Sequence, residues 1–187
     1  MVSRRKPLLY GLVAVSSLAW AAAAQTPDAG KQPAVTDTRT FGDWGVRCFA
    51  GRLPPCEMFQ ASRNKAGARV MEFVIAYLPR RDSHALRLTL PLGVSFAKGV
   101  RISASGYRSQ AMPYLRCDRA GCYVRGAIAR GALDALGHSN PRAGLAAGSP
   151  DGRDVEMPLS LRGFIEARGA MEKLAREKSA AAPRAPR

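Results

Sequence analysis

The chain predicts a mainly β domain, most simply a sandwich, followed by one C-terminal α-helix. Three observations carry this. Short runs of β-branched, aromatic and aliphatic residues recur between turn residues from Phe41 onward. After Ser160 the apolar period lengthens from two residues to three and four. Four cysteines fall in two close pairs, each straddling a turn.

Phe41 to Phe49 reads as the first strand, with Trp44 and Val46 on one face and Gly45 and Arg47 on the other. Gly51 to Pro55 turns the chain, and Cys56 to Ala61 returns. After the Asn64 to Gly67 turn, Arg69 to Leu78 is nearly continuous in apolar residues, the pattern of a buried central strand. Leu86 to Leu90 alternates with period two and stops at Pro91-Leu-Gly93. Val100 to Ala104 and Tyr107 to Leu115 follow, the second weakened by Pro113. Cys122 to Ile128 returns after the Asp118 to Gly121 turn, and Ala129 to Leu136 predicts a short helix ended by Gly137. Gly144 to Ala147 and Arg153 to Met157 flank Ser149-Pro-Asp-Gly152, a hairpin turn. With Ser160 as N-cap, Leu161, Phe164, Ile165, Ala167, Met171 and Leu174 form an apolar stripe on a helix. Gly163 and Gly169 each weaken that helix by about 1 kcal/mol relative to Ala, so packing must hold it.

Residues 1–24 carry the marks of an export signal. Arg4, Arg5 and Lys6 precede an uncharged apolar run from Leu8, which ends in Ala22-Ala23-Ala24, a small-residue cleavage pattern. Pro7 after the arginine pair favours the general secretory route over the twin-arginine one, and a retained anchor is the alternative. Residues 25–40 are expected as a flexible linker and 41–178 as the folded domain. Residues 179–187 are expected as a disordered basic tail, because Pro183 and Pro186 stop a helix. No second membrane-spanning stretch is expected after the signal.

The net charge is +15, from 29 basic and 14 acidic side chains. Three of those charges lie in the signal. Residues 41–174 hold 20 basic and 11 acidic side chains, a net +9. On an exported domain such a balance suits anionic envelope components rather than nucleic acid. The two histidines, His84 and His138, are placed in polar loops and expected to be solvated. So few histidines disfavour a metal site, and no Gly-x-Ser-x-Gly elbow is present. No catalytic residue, cofactor or metal is therefore expected. Asp151, Asp154 and Glu156 read as turn and strand-face residues, and are the carboxylates that an enzyme of envelope polymers would use. Cys48 with Cys56 and Cys117 with Cys122 are expected as local disulfides, each contributing about 2–2.6 kcal/mol in the chain-entropy picture. Neither spacing fits a Cys-x-x-Cys redox motif or a zinc knuckle.

Four patterns occur in order: Phe41-Gly-Asp-Trp44 leading to Cys48 and Cys56; Leu90-Pro-Leu-Gly-Val94 with Gly99-Val100; Tyr114-Leu-Arg-Cys117 with Gly121-Cys122; and Met157-Pro-Leu-Ser-Leu-Arg-Gly-Phe164. Together they resemble the invasion-associated locus B family of bacterial secreted proteins, over about residues 41–175. The resemblance implies an immunoglobulin-like β-sandwich in the envelope or outside the cell, with no established catalytic residues. The matching positions Trp44, Pro91, Gly93, Gly121, Gly163 and Phe164, with the four cysteines, are expected to be structural. Trp44 should anchor the core, and Phe164 should dock the helix. The expectation is a non-catalytic envelope protein that binds an unknown protein or anionic ligand. An enzyme of envelope polymers and a periplasmic assembly factor using a strand edge are the alternatives. Oligomeric state is left open.

Overall fold

Alternate burial along β2 (Trp44–Phe49) shows how the core is made. Trp44, Val46 and Cys48 are buried, while Gly45, Arg47 and Phe49 are half-buried on the other side. The computed structural model describes residues 33–67, 69–139 and 142–181. The expected class is what these residues form: a sandwich of two antiparallel sheets with a C-terminal helix. The proposed signal, residues 1–24, lies outside the described residues.

The larger sheet has seven strands in the order β1 (Val35–Phe41), β2, β3 (Cys56–Arg63), β4 (Arg69–Leu78), β5 (Ser83–Leu90), β9 (Gly121–Ile128) and β8 (Arg116–Asp118). The smaller orders β11 (Asp154–Ser160), β10 (Arg142–Gly148), β6 (Val100–Ala104) and β7 (Tyr107–Arg108). Helix α1 (Arg130–Gly137) follows β9, as expected. Helix α2 (Phe164–Ala181) and the smaller sheet cover one face of the larger. Phe73, Ile75, Leu88 and Val124 meet Ile102, Leu145, Phe164 and Met171 in one core.

Several boundaries differ from expectation. The first strand is two strands, because Gly42 and Asp43 turn the chain between β1 and β2. β1 begins at Val35, inside the stretch expected as linker. It is mostly exposed and held by backbone pairing to β2, which hydropathy does not report. Only Tyr107 and Arg108 of the Tyr107–Leu115 stretch form a strand: next, the Ile102 N–H donates to the Ser109 hydroxyl at 2.9 Å instead of a carbonyl, and Met112 then makes an isolated bridge to Val100. Ser160 is the last residue of β11 rather than an N-cap, and α2 starts at Phe164. Gly163 therefore precedes the helix and does not weaken it. Ile165 is exposed, so the packed stripe is Phe164, Ala167, Met171, Leu174 and Ala175. The helix runs to Ala181, into the expected tail, because the alanines before Pro183 favour helix.

Candidate functional site

The cysteines, Trp44, Gly121 and Gly163 each make a close contact in the fold. Cys48 faces Cys56 across β2 and β3, and Cys117 faces Cys122 across β8 and β9. Both pairs are bonded as expected, with Cα atoms 4.0 Å apart. Trp44 is fully buried and meets Phe73 and Phe164 edge-on, with ring centroids 5.8 and 5.1 Å away. Its Nε1–H donates to the Ser160 carbonyl at 2.9 Å. The Gln60 amide brackets the same residue, donating to the Ser160 carbonyl at 3.0 Å and accepting from the Ser160 N–H at 2.8 Å.

The four sequence motifs meet in two pairs. The Gly42–Asp43 turn lies against Arg162 and Gly163, and the Asp43 N–H donates to the Arg162 carbonyl at 3.0 Å. Gly163 has φ +82°, and a Cβ there would stand 2.1 Å from the Phe41 carbonyl oxygen, so only glycine lets the chains cross. The Asp43 carboxylate, taking hydrogen bonds from Arg162 and Ser160, is held below the usual range. At the second junction a Cβ on Gly121 would stand 2.4 Å from the Leu90 carbonyl oxygen. Pro91 follows the last residue of β5, and Gly93 sits in the ensuing turn with φ +89°. These residues join β1–β2 to the start of α2, and β5 to β9.

The other face of the seven-stranded sheet, which no described element covers, carries a dense set of charged side chains. Here the register places Arg47 opposite Glu57, Val74 opposite Arg87, and Arg87 opposite Arg125. Glu57 is only 1% exposed because arginines lie over it. Arg47 Nε donates to its Oε1 at 2.8 Å, Arg52 to its Oε2 at 2.8 Å, and Arg87 reaches Oε1 at 3.5 Å. Burial alone would push the Glu57 carboxyl up. The Arg47 hydrogen bond and the charges of Arg87, Arg47 and Arg52 outweigh it and hold the group ionised. Glu72 takes Arg47 at 3.5 Å and Arg69 at 3.4 Å. Guanidinium groups also stack on rings: Arg47 over Phe59 at 4.3 Å, Arg52 over Phe49 at 4.2 Å and Arg116 over Tyr123 at 4.5 Å. The result is a flat layer of cations organised by two buried carboxylates.

A second polar cluster ties α2 to the sheet. His84 is not a loop residue: it lies in β5 and is 2% exposed. Burial lowers its pKa below the ordinary value, against the opposing pull of Glu172, so the neutral ring donates Nε2–H to Glu172 Oε1 at 2.9 Å. Arg168 binds Glu172 at 3.0 Å and Asp134 of α1 at 2.6 Å. Tyr77 donates to Asp82 at 2.5 Å and receives Arg176 at 2.8 Å. These contacts cross from β4 and β5 to both helices, the geometry of a fastening. His138 caps α1 and is exposed. Asp151 is held by Ser149 and Arg153 in the β10–β11 turn, Asp154 pairs with Lys98 at 3.4 Å, and Glu156 lies over Gly144. Glu156 and Arg162 line an open groove of about 880 Å³ on the outer face of the smaller sheet. Among the described residues no three His, Cys, Asp or Glu side chains are placed to hold a metal ion. No described helix is long and apolar enough to cross a membrane.

Fold and site together define a disulfide-pinned β-sandwich of two antiparallel sheets whose free sheet face is basic. The sequence profile described as "Invasion associated locus B (IalB) protein" matches residues 44–172, and the chain belongs to that family. The crystal structure of invasion associated protein B from Bartonella henselae is similar, with a TM-score of 0.66 and 21% identity. The similarity covers 75% of this chain and 99% of that one. Among curated proteins no sequence match is found.

Proposed function

We propose that this chain is an exported envelope protein that acts by binding, without catalysis, through the open face of its seven-stranded sheet. The observation that carries the reading is the near-complete burial of Glu57 under Arg47, Arg52 and Arg87. Burying a carboxylate is costly unless it is paired. The pairing fixes three long cationic side chains into one layer, which favours a partner that meets them already ordered. The disulfides support an oxidising compartment outside the cytoplasm, and family membership agrees with it. The carboxylates that an enzyme would need, Asp151, Asp154 and Glu156, are engaged by or packed on their neighbours, which supports binding over hydrolysis.

A photo-crosslinking side chain separates the two outer sheet faces in the native envelope. Ala127 is exposed on the arginine side of β9, and Glu156 projects from the smaller sheet. A discrete, reproducible adduct from position 127 and none from position 156 is expected. Adducts from 156 alone, or none from 127, would overturn the choice of face.

A further inference from the structure

We propose that β1 pairs antiparallel with β1 of a second copy of this chain, joining two seven-stranded sheets into one. The pairing stands whether or not the open face binds a partner. Among the described residues four strands end the two sheets: β1, β8, β11 and β7. Three of these edges are blunted. β7 has two residues and β8 three, and β11 carries Pro158, which has no N–H to offer a neighbour. β1 has seven residues and no proline, and no described strand pairs with its outer side. Phe41 and Trp44 close the two-residue Gly42–Asp43 turn, so Phe41, Arg39 and Asp37 make the ladder bonds to β2. The N–H and C=O groups of Thr38 and Thr40 therefore point to the open edge.

The residues of the edge select the occupant, because the strand is complementary to itself. A two-fold axis through Thr38 makes Thr38 meet its own copy as a hydrogen-bonded pair, as its outward backbone groups require. Asp37 then falls opposite Arg39 of the second copy, and Thr36 opposite Thr40. Asp37 and Arg39 share one face of β1 and already form a 3.2 Å ion pair within the strand. Across the axis each carboxylate would stand between two guanidinium groups, and each guanidinium between two carboxylates. Opposite charges and Thr–Thr pairs directly across strands are favourable. An axis through Asp37 or Arg39 would set like charges face to face, on residues whose backbone groups already serve β2. Thr38 and Thr40 lie on the open side, opposite Arg47 and Gly45. Pairing through Thr38 turns that side of both copies the same way, so the two arginine layers become continuous. A bulge before Asp37, where Lys178 Nζ donates to Thr36 at 3.1 Å, ends the regular stretch. So short a ladder makes a small interface, and a reversible, concentration-dependent dimer is expected.

The test is oxidative cross-linking of the full chain, read beside its sedimentation over a range of concentrations. All four native cysteines are paired, so an introduced thiol is the free one. Thr38→Cys places it on the two-fold axis, where about 5.5 Å between Cα atoms suits a disulfide. Thr40→Cys is also exposed on the same face, but its two copies would stand about 13 Å apart. A covalent dimer from Thr38→Cys and none from Thr40→Cys is expected. Asp37→Arg and Arg39→Asp each set like charges across the axis, and each should raise the dimer dissociation constant more than about tenfold. Mixed together, the two variants should recover most of the parent affinity as a heterodimer, which a folding defect would not allow. Both positions lie on the edge strand, so both variants should unfold like the parent. A monomer at every concentration, equal cross-linking from positions 38 and 40, or no recovery on mixing would overturn the proposal. The adduct expected at position 127 reports a different strand, so either result can fail alone.

Discussion

The two faces of the seven-stranded sheet are built from the same strands by opposite means. On the covered face Trp44, Phe73, Ile75 and Leu88 are excluded from water by the smaller sheet and α2. On the open face side chains of alternate residues create their own cover, with arginine stems lying over Glu57 and Glu72 and guanidinium groups over Phe49 and Phe59. The covered face owes its cohesion to apolar burial, which salt barely screens. The open face owes its order to charge pairs, and responds to ionic strength.

The largest effect should come from the covered face. Trp44→Ala removes a fully buried ring touching Phe73 and Phe164 together with the hydrogen bond to Ser160, so urea denaturation should show a loss of about 3–5 kcal/mol. That loss should be nearly the same in low and high salt. Glu57→Gln keeps the shape and removes the charge, leaving Arg47, Arg52 and Arg87 around a neutral amide. A loss of about 1–3 kcal/mol is expected. It should shrink as salt screens the arginines from one another. If both variants responded to salt alike, the contrast between the faces would be lost.

How much of this could be read from residues alone follows the same division. The covered face was legible, because apolar alternation marks it: Trp44 and Val46 inward, Leu86, Leu88 and Leu90 inward, and Arg69–Leu78 as the centre. The disulfide register was legible too, and it contained more than the pairing. If Cys48 faces Cys56, antiparallel counting puts Arg47 opposite Glu57, which is the heart of the open face. What that arithmetic lacks is Arg52 and Arg87, which arrive from a loop and from β5. Ser160 reads as an N-cap because its hydroxyl accepts the Arg162 N–H as a cap would, yet its backbone belongs to β11. Gly163 looked like a flaw in a helix because its reason, the Phe41 carbonyl, lies more than a hundred residues away in the chain. His84 reads as a loop residue because the polar stretch from Pro79 to Asp82 precedes it, whereas it lies in a strand whose inner face is completed by α2.

His84 supplies the smallest test and joins the two modes of construction, since it is a polar group on the covered face. Burial holds its pKa below 6.5 although Glu172 pulls the other way, and Arg168 and Arg130 reinforce the lowering. The unfolded chain therefore takes up a proton near pH 6.5 that the folded chain refuses. Stability from this group is complete above that pH and is lost as the pH falls through it. Glu172 and Glu57 have pKa values held below 4.5, so their contributions persist above that value and fade beneath it. Between those two limits the slope of stability with pH belongs to the histidine. Thermal unfolding midpoints should fall from about pH 7 to about pH 5 in the parent chain, and His84→Gln, which keeps a donor for Glu172, should flatten that slope. A parent chain equally stable across that range, or a variant with the same slope, would mean that His84 is not held neutral in the fold. The fastening between β5 and α2 would then be an ion pair like those of the open face.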